Sequence, residues 1–208
     1  MRRFFVVLIV IILAVSSFAF AETEHFDEQG EWYSGMYYSN DAFPATLNEN
    51  GDFVATINGF ECTISRDGHV ISNDESEMME SVSLPCDGLL LYGSRHDPLR
   101  KKDYMAGILI LPSDDGFNAV YSETISLMLL LNNKAIRYDG ESSAEYQRTG
   151  SQFFMTNGES YSRGKITTYG NDLFLYKIDG EARIERHGDY EIDYGDPVIF
   201  FIRSSLVK

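Results

Sequence analysis

An all-β fold, an antiparallel meander closing into a β-barrel or barrel-like sandwich of about ten to twelve strands, is the architecture this sequence predicts. Three observations predict it. Turn dipeptides recur along the chain, among them Asn50-Gly51, Asn58-Gly59, Asp67-Gly68, Asp87-Gly88, Asp115-Gly116, Asn157-Gly158, Asp179-Gly180 and His187-Gly188. Asn, Asp and Gly tolerate the positive φ that two-residue hairpin turns require. The runs between them are rich in Phe, Tyr, Ile, Val and Thr, side chains that suit a pleated, half-buried surface. Finally, one hairpin can be placed in register from the sequence itself.

That hairpin turns at Asn58-Gly59. With those two residues as the loop, Ile57 faces Phe60, Ala55 faces Cys62 and Phe53 faces Ile64, so six apolar side chains share one face. Thr56, Glu61, Thr63 and Ser65 share the other. Continuing through Asp67-Gly68 as a second two-residue turn sets Ile64 opposite Ile71. A similar pattern returns near the C-terminus, where Ile178-Asp179-Gly180 and Ile184 to Gly188 follow the chemistry of Ile57-Asn58-Gly59 and Ile64 to Gly68. A duplication or the ordinary chemistry of any meander explains it, and the second needs no history.

Two segments depart from simple alternation. In Ser122 to Lys134, Ile125, Met128 and Leu129 suit a helix face, whereas Ile125, Leu127, Leu129 and Leu131 alternate as a strand does. The flanking β pattern and Asn132-Asn133 favour the strand. Val198-Ile199-Phe200-Phe201-Ile202 is apolar throughout, which fits a strand covered on both faces or one that closes a barrel.

The N-terminus reads as an export signal. Met1-Arg2-Arg3 precedes an apolar run from Phe4 to Val15, and Ala19-Phe20-Ala21 places small side chains where a signal peptidase needs them. Residues 1–21 are therefore expected to be removed, leaving residues 22–208 as a single β domain secreted to an extracellular or periplasmic space, with no membrane span after cleavage. The chain carries a formal net charge of −15, and losing Arg2 and Arg3 makes it more negative. Such a surface repels nucleic acid and anionic lipid. The two cysteines, Cys62 and Cys86, are expected to pair in an oxidising compartment, closing a loop of about 25 residues for roughly 3 kcal/mol.

Gly30-Glu31-Trp32-Tyr33 opens the first strand. Here the sequence resembles the lipocalin and bacterial lipocalin-like families, whose first strand begins with Gly-x-Trp followed by an aromatic residue. Leu47 to Phe53 and the meander after it look like the next strands of such domains. The resemblance implies an up-and-down barrel with Trp32 closing its floor and a small apolar or amphipathic ligand inside.

Candidate sites follow from residue chemistry. Thirteen Tyr, fourteen Phe and one Trp form an aromatic surplus. Trp32, Tyr37, Tyr176 and Tyr190 are the candidate ligand-binding residues, with Tyr38, Tyr161, Tyr169 and Tyr194 as further rings offering apolar area and one polar tip. Asp189, Glu191 and Asp193 alternate along one strand face, a row that either holds Ca²⁺ or does acid/base work in glycoside hydrolysis, or is simply solvated. The acid-rich Asp74 to Glu80 and the cationic Arg95 to Lys102 read as exposed loops. His25, His69, His96 and His187 show no metal-ligand spacing, and Gly-x-Ser-x-Gly and His-Glu-x-x-His are missing. No catalytic residue, metal or cofactor is indicated. The expected function is a non-enzymatic β-barrel binding a small apolar or amphipathic ligand. The alternatives are a surface or carbohydrate-recognition module with a filled interior, which would bind a glycan, and a glycosidase-like hydrolase.

Overall fold

The structure, a computed structural model, describes residues 26–57, 59–73, 75–97, 101–138, 143–187 and 190–207. The expected leader lies outside them. From the N-terminus the strands are β1 (Gly30–Tyr38), β2 (Phe43–Leu47), β3 (Phe53–Ile57), β4 (Phe60–Ile64), β5 (His69–Ser72) and β6 (Glu75–Met78). Then come β7 (Glu80–Ser83), β8 (Leu89–Asp97), β9 (Lys102–Ser113) and β10 (Gly116–Leu131). The C-terminal half adds β11 (Lys134–Arg137), β12 (Ser143–Thr149), β13 (Gln152–Thr156), β14 (Tyr161–Tyr169) and β15 (Leu173–Ile178). It ends with β16 (Arg183–His187), β17 (Tyr190–Gly195), β18 (Pro197–Arg203) and one 3₁₀ turn at Ser204–Leu206. The strands outnumber the expected ten to twelve because short ribbons of four or five residues surround the long ones. Among the described residues no helix is long and apolar enough to cross a membrane.

Eight strands close on themselves as an antiparallel barrel in the order β1-β18-β15-β14-β13-β12-β11-β10, with β10 pairing back to β1. A barrel of eight strands is just wide enough inside for side chains to fill. Trp32, Phe153, Phe174, Tyr176 and Phe201 fill it here, all fully buried. The Phe174 and Phe201 rings stack at 4.3 Å, and Trp32 meets Phe174 edge-on at 5.0 Å, both favoured aromatic geometries. The Trp32 indole N–H donates to the Glu28 carbonyl at 2.8 Å. Arg203 lies 3.7 Å over the Trp32 ring and donates to the carbonyls of Asp27 and Gln29 at 2.6 Å, sealing the barrel where β1 begins.

A second sheet grows from the same β10. Its C-terminal part pairs with β1 and β11, while its N-terminal part pairs with β9 on one edge and β2 on the other. The register shifts between Ser122 and Ile125, and such a bulge bends a strand and increases its twist. From β10 the outer sheet runs through β9 and β8 to β7 on one side, and through β2, β3, β4 and β5 to β6 on the other. Middle strands β8 and β9 are apolar on both faces. Leu90, Tyr92, Leu109 and Leu111 pack toward the barrel wall, where Phe200 and Ile202 of β18 meet them, whereas Leu89, Leu91 and Ile110 face Phe53, Cys62 and Ile64. This accounts for the continuous apolar run in β18: Phe201 points into the barrel, Phe200 and Ile202 point out, and both sides are covered.

The β3–β4 register is the one the sequence predicts: Ile57↔Phe60, Ala55↔Cys62 and Phe53↔Ile64. Phe60, at the hairpin end, lies beyond the buried face and is 52% exposed. The next pairing differs. Ile64 faces Val70 and Ile71 faces Thr63, because the loop is three residues, Arg66 to Gly68, with Gly68 at φ 100° and the Ser65 N–H donating to the His69 carbonyl. A one-residue change of register exchanges the faces of a strand, so Val70 turns inward and Ile71 outward. Residues 116–131 form a strand, ended by a turn with positive φ at both Asn132 and Asn133. Its inward phase is Met128 and Leu130, while Ile125 packs in the layer outside the barrel. The C-terminal repeat of the Asn58-Gly59 pattern has a different topology, since β16 pairs with β17 and not with β15.

The expected disulfide does not form: Cys62 and Cys86 are free thiols. Cys62 points from β4 into the outer core with Phe53 and Ile64, whereas Cys86 sits in the turn after β7 against the layer beside the barrel. The two thiols face different cores and are not joined.

Two measurements check this packing. A Cβ at Gly35 would lie 2.5 Å from both the Phe200 ring and Ser122 Oγ, so Gly35→Ala should lower stability in urea by roughly 1–3 kcal/mol. Trp32→Ala should lower it by roughly 3–5 kcal/mol. Thiol titration of the folded protein should show Cys86 reacting slowly and buried Cys62 only after unfolding; failure to detect two thiols in denaturant would contradict the separation of the cores.

Candidate binding cleft

β1 and β2 follow one another along the same edge of β10. β1 pairs with it down to Gly35↔Ile125, and β2 rejoins it at Phe43↔Ala119. Between those points Val120 to Thr124 have no ladder partner on that edge, and the chain from Met36 to Ala42 detours around them. Buried Ser122 bridges the start of the gap: its hydroxyl accepts from the Met36 N–H at 3.2 Å and donates to the Thr124 carbonyl at 3.2 Å.

The detour is pinned from the far side. The Ser39 N–H donates to the Asp196 carbonyl at 2.9 Å, the Asn40 N–H to the Tyr194 carbonyl at 3.0 Å, and the Asn40 side-chain amide to the Asp193 carbonyl at 3.0 Å. Gly195, at φ 75°, lets Ser39 and Asn40 come this close; a Cβ there would overlap both side chains. The β16–β17 ribbon is thereby held beside the gap.

A cleft of about 500 Å³ results. Its aromatic walls are Tyr37, Tyr38, Phe43, Tyr121 and Tyr194, and its charged groups are Asp41, Glu123 and Arg183. The Arg183 guanidinium lies 5.4 Å from the Tyr38 ring centre and 5.0 Å from that of Tyr194, and it is ion-paired with Glu185. Burial pushes the Asp41 carboxyl above the usual carboxylate range, with Arg183 pulling it back. Tyr37 also lines a smaller pocket of about 160 Å³, shared with Leu111, Val120, Leu175 and Val198 and with the polar groups of Ser39, Asn118 and Tyr169. Burial, reinforced by Tyr169, holds the Tyr37 phenol far above its ordinary value.

The candidate residues named from sequence separate here. Tyr37 lines both hollows. Trp32 and Tyr176 are barrel core, the Tyr176 hydroxyl 2.9 Å from Ser162 Oγ. Tyr190 starts β17 opposite His187, and its side chain lies outside the described residues, as does Asp189. Of the acidic row, Glu191 is ion-paired with Arg186 at 2.8 Å and Asp193 accepts from the Gly195 N–H at 2.8 Å, so each serves its own ribbon. Among the described residues no group of three or more His, Cys, Asp or Glu is placed to hold a metal. Arg95 pairs with Glu77, and His96 contacts Asp103; residues 98–100 of the cationic segment, and Asp74 of the acidic one, lie outside the described residues. Sequence reading missed Asp41, Phe43, Tyr121, Glu123 and Arg183. For Tyr121 and Glu123 the one signal was the break in alternation at Ser122 to Thr124, which marks the bulge; Asp41, Phe43 and Arg183 had none.

Fold and cleft together define an eight-stranded antiparallel barrel with an outer sheet and a tyrosine-walled cleft where the two diverge. Compared with protein-family models, curated proteins and solved structures, the chain matches none.

The buried phenols give the fold an alkaline limit. Burial raises Tyr37 and Tyr176 above the ordinary tyrosine value near 10 and Tyr146 to about 12. Tyrosines of the unfolded chain ionise first, so the stability these groups contribute is whole below pH 10 and falls as pH rises through their folded values. Absorbance titration of phenolate should show late-ionising tyrosines, with unfolding monitored by circular dichroism beginning between about pH 10 and 12.

Proposed function

We propose that this chain is an exported, non-enzymatic recognition module that binds a small amphipathic ligand in the cleft between β1, β10 and the β16–β17 ribbon. The observation that carries this reading is the contrast between the two candidate locations. The barrel interior is filled by rings in contact with one another, whereas the cleft offers apolar ring faces beside polar groups. Concave sites with mostly aromatic walls and a few convergent polar groups are the usual home of small ligands. The hydrolase reading loses support because Glu191 and Asp193 are engaged within their own ribbon.

A glycan is the second reading, favoured by the Tyr121 and Tyr194 rings together with the Asp41 and Glu123 carboxylates, which suit the apolar faces and hydroxyl groups of a sugar. The uncharged dye Nile red separates location from ligand type. Its fluorescence should rise on mixing with the protein, lose most of that rise in Tyr121→Ala and Phe43→Ala, and keep it in Trp32→Phe. Equal loss in Trp32→Phe would return the site to the barrel interior, and a dye that stays dark beside a positive glycan array would favour the sugar.

A further inference from the structure

The cleft and the pocket behind it share one wall, the Tyr37 ring. Their linings differ in kind. The outer chamber carries Asp41 and Glu123, and its cation, Arg183, is neutralised by Glu185. The inner chamber carries no charged group: Leu111, Val120, Leu175 and Val198 line it beside Ser39 and Asn118, and the first three belong to, or pack against, the layer between barrel and outer sheet. The ring faces of the outer chamber suit positive charge as well: Arg183 already lies against two of them, Tyr38 and Tyr194. Tyr121 and Phe43 line the same chamber beside the two carboxylates.

We propose that the two hollows form one bipartite site for an amphiphile with a cationic head, an ammonium or guanidinium held at Tyr121 and Phe43 between Asp41 and Glu123, and a short apolar tail that passes Tyr37 to lie on Leu111, Val120, Leu175 and Val198. This rests on the cleft being the binding site. Charge complementarity selects the head, because two carboxylates and aromatic faces attract a cation and repel an anion. Apolar area selects the tail, since each buried methylene strengthens binding roughly fourfold.

Calorimetric titration of the folded protein with four probes tests this: tetramethylammonium, hexyltrimethylammonium, hexyl sulfate and hexyl glucoside. Hexyltrimethylammonium should bind at least tenfold tighter than hexyl sulfate, hexyl glucoside and the tailless tetramethylammonium. Glu123→Gln, an exposed position, should weaken both ammonium probes several-fold and should not weaken hexyl sulfate. Ala42→Phe, which adds a ring in the inner pocket, should erase the difference between hexyltrimethylammonium and tetramethylammonium; thermal melting confirms that each variant is folded, and Leu175→Ala, which should weaken only the hexyl probes, serves if Ala42→Phe is not. If hexyl sulfate or hexyl glucoside binds as tightly as the cation, the head assignment is wrong although the cleft stands. If tail length has no effect, the inner chamber is not part of the site. If none of the hexyl probes binds, the cleft reading itself fails.

Discussion

β10 has to serve two sheets at once, and the rest of the molecule is arranged around that demand. The sixteen residues of β10 extend past the barrel pairings with β1 and β11, so the strand must leave the barrel and bend as it does so. The bulge between Ser122 and Ile125 does both. Below it, β10 closes the barrel against β1; above it, the strand carries β9 and β2 outward. β1 and β2 are consecutive in the chain and lie along the same edge, so the loop between them has no choice but to bridge the bend. The cleft is the space that this bridge leaves.

Filling the barrel with rings has a consequence for where a ligand can sit. Trp32, Phe153, Phe174 and Phe201 touch one another in edge-on, tilted and stacked contacts, and displacing any one of them would open a void that the surrounding strands could not collapse to fill. Polar tips are satisfied locally, the Trp32 indole by Glu28 and the Tyr176 hydroxyl by Ser162. The aromatic surplus in the sequence is thus divided between two tasks. One set of rings makes the barrel solid; the other, on the loop side of β1 and on the flanks of β10 and β17, lines the cleft with carboxylates among it.

Local chemistry made much of this legible from the sequence. The two-residue turn at Asn58-Gly59 determined the β3–β4 register because turn length and alternation agreed, and the unbroken apolar run in β18 announced a strand covered on both faces. Reading stopped where a choice depended on one residue or on distance through space. Asp67-Gly68 reads as a two-residue turn, whereas the loop is three residues long, and that difference turned Ile71 outward. Pairing of Cys62 with Cys86 was a statement about compartment, whereas their separation is a matter of which core each faces.

By itself the sequence determined the antiparallel β class, the main hairpins and the abundance of rings, because these follow from turn chemistry and side-chain period within a few residues. Only the tertiary structure decided which tyrosines are core and which are surface, and that Tyr37, Asp41, Tyr121, Glu123 and Arg183 meet at one cleft. Those residues come from three separate stretches of chain: the closure of β1 on β10, strands some ninety residues apart, brings two of them together, and the hydrogen bonds of Asn40 to β17 hold the third beside them. No local pattern encodes such a closure; it is set by the packing of the whole barrel.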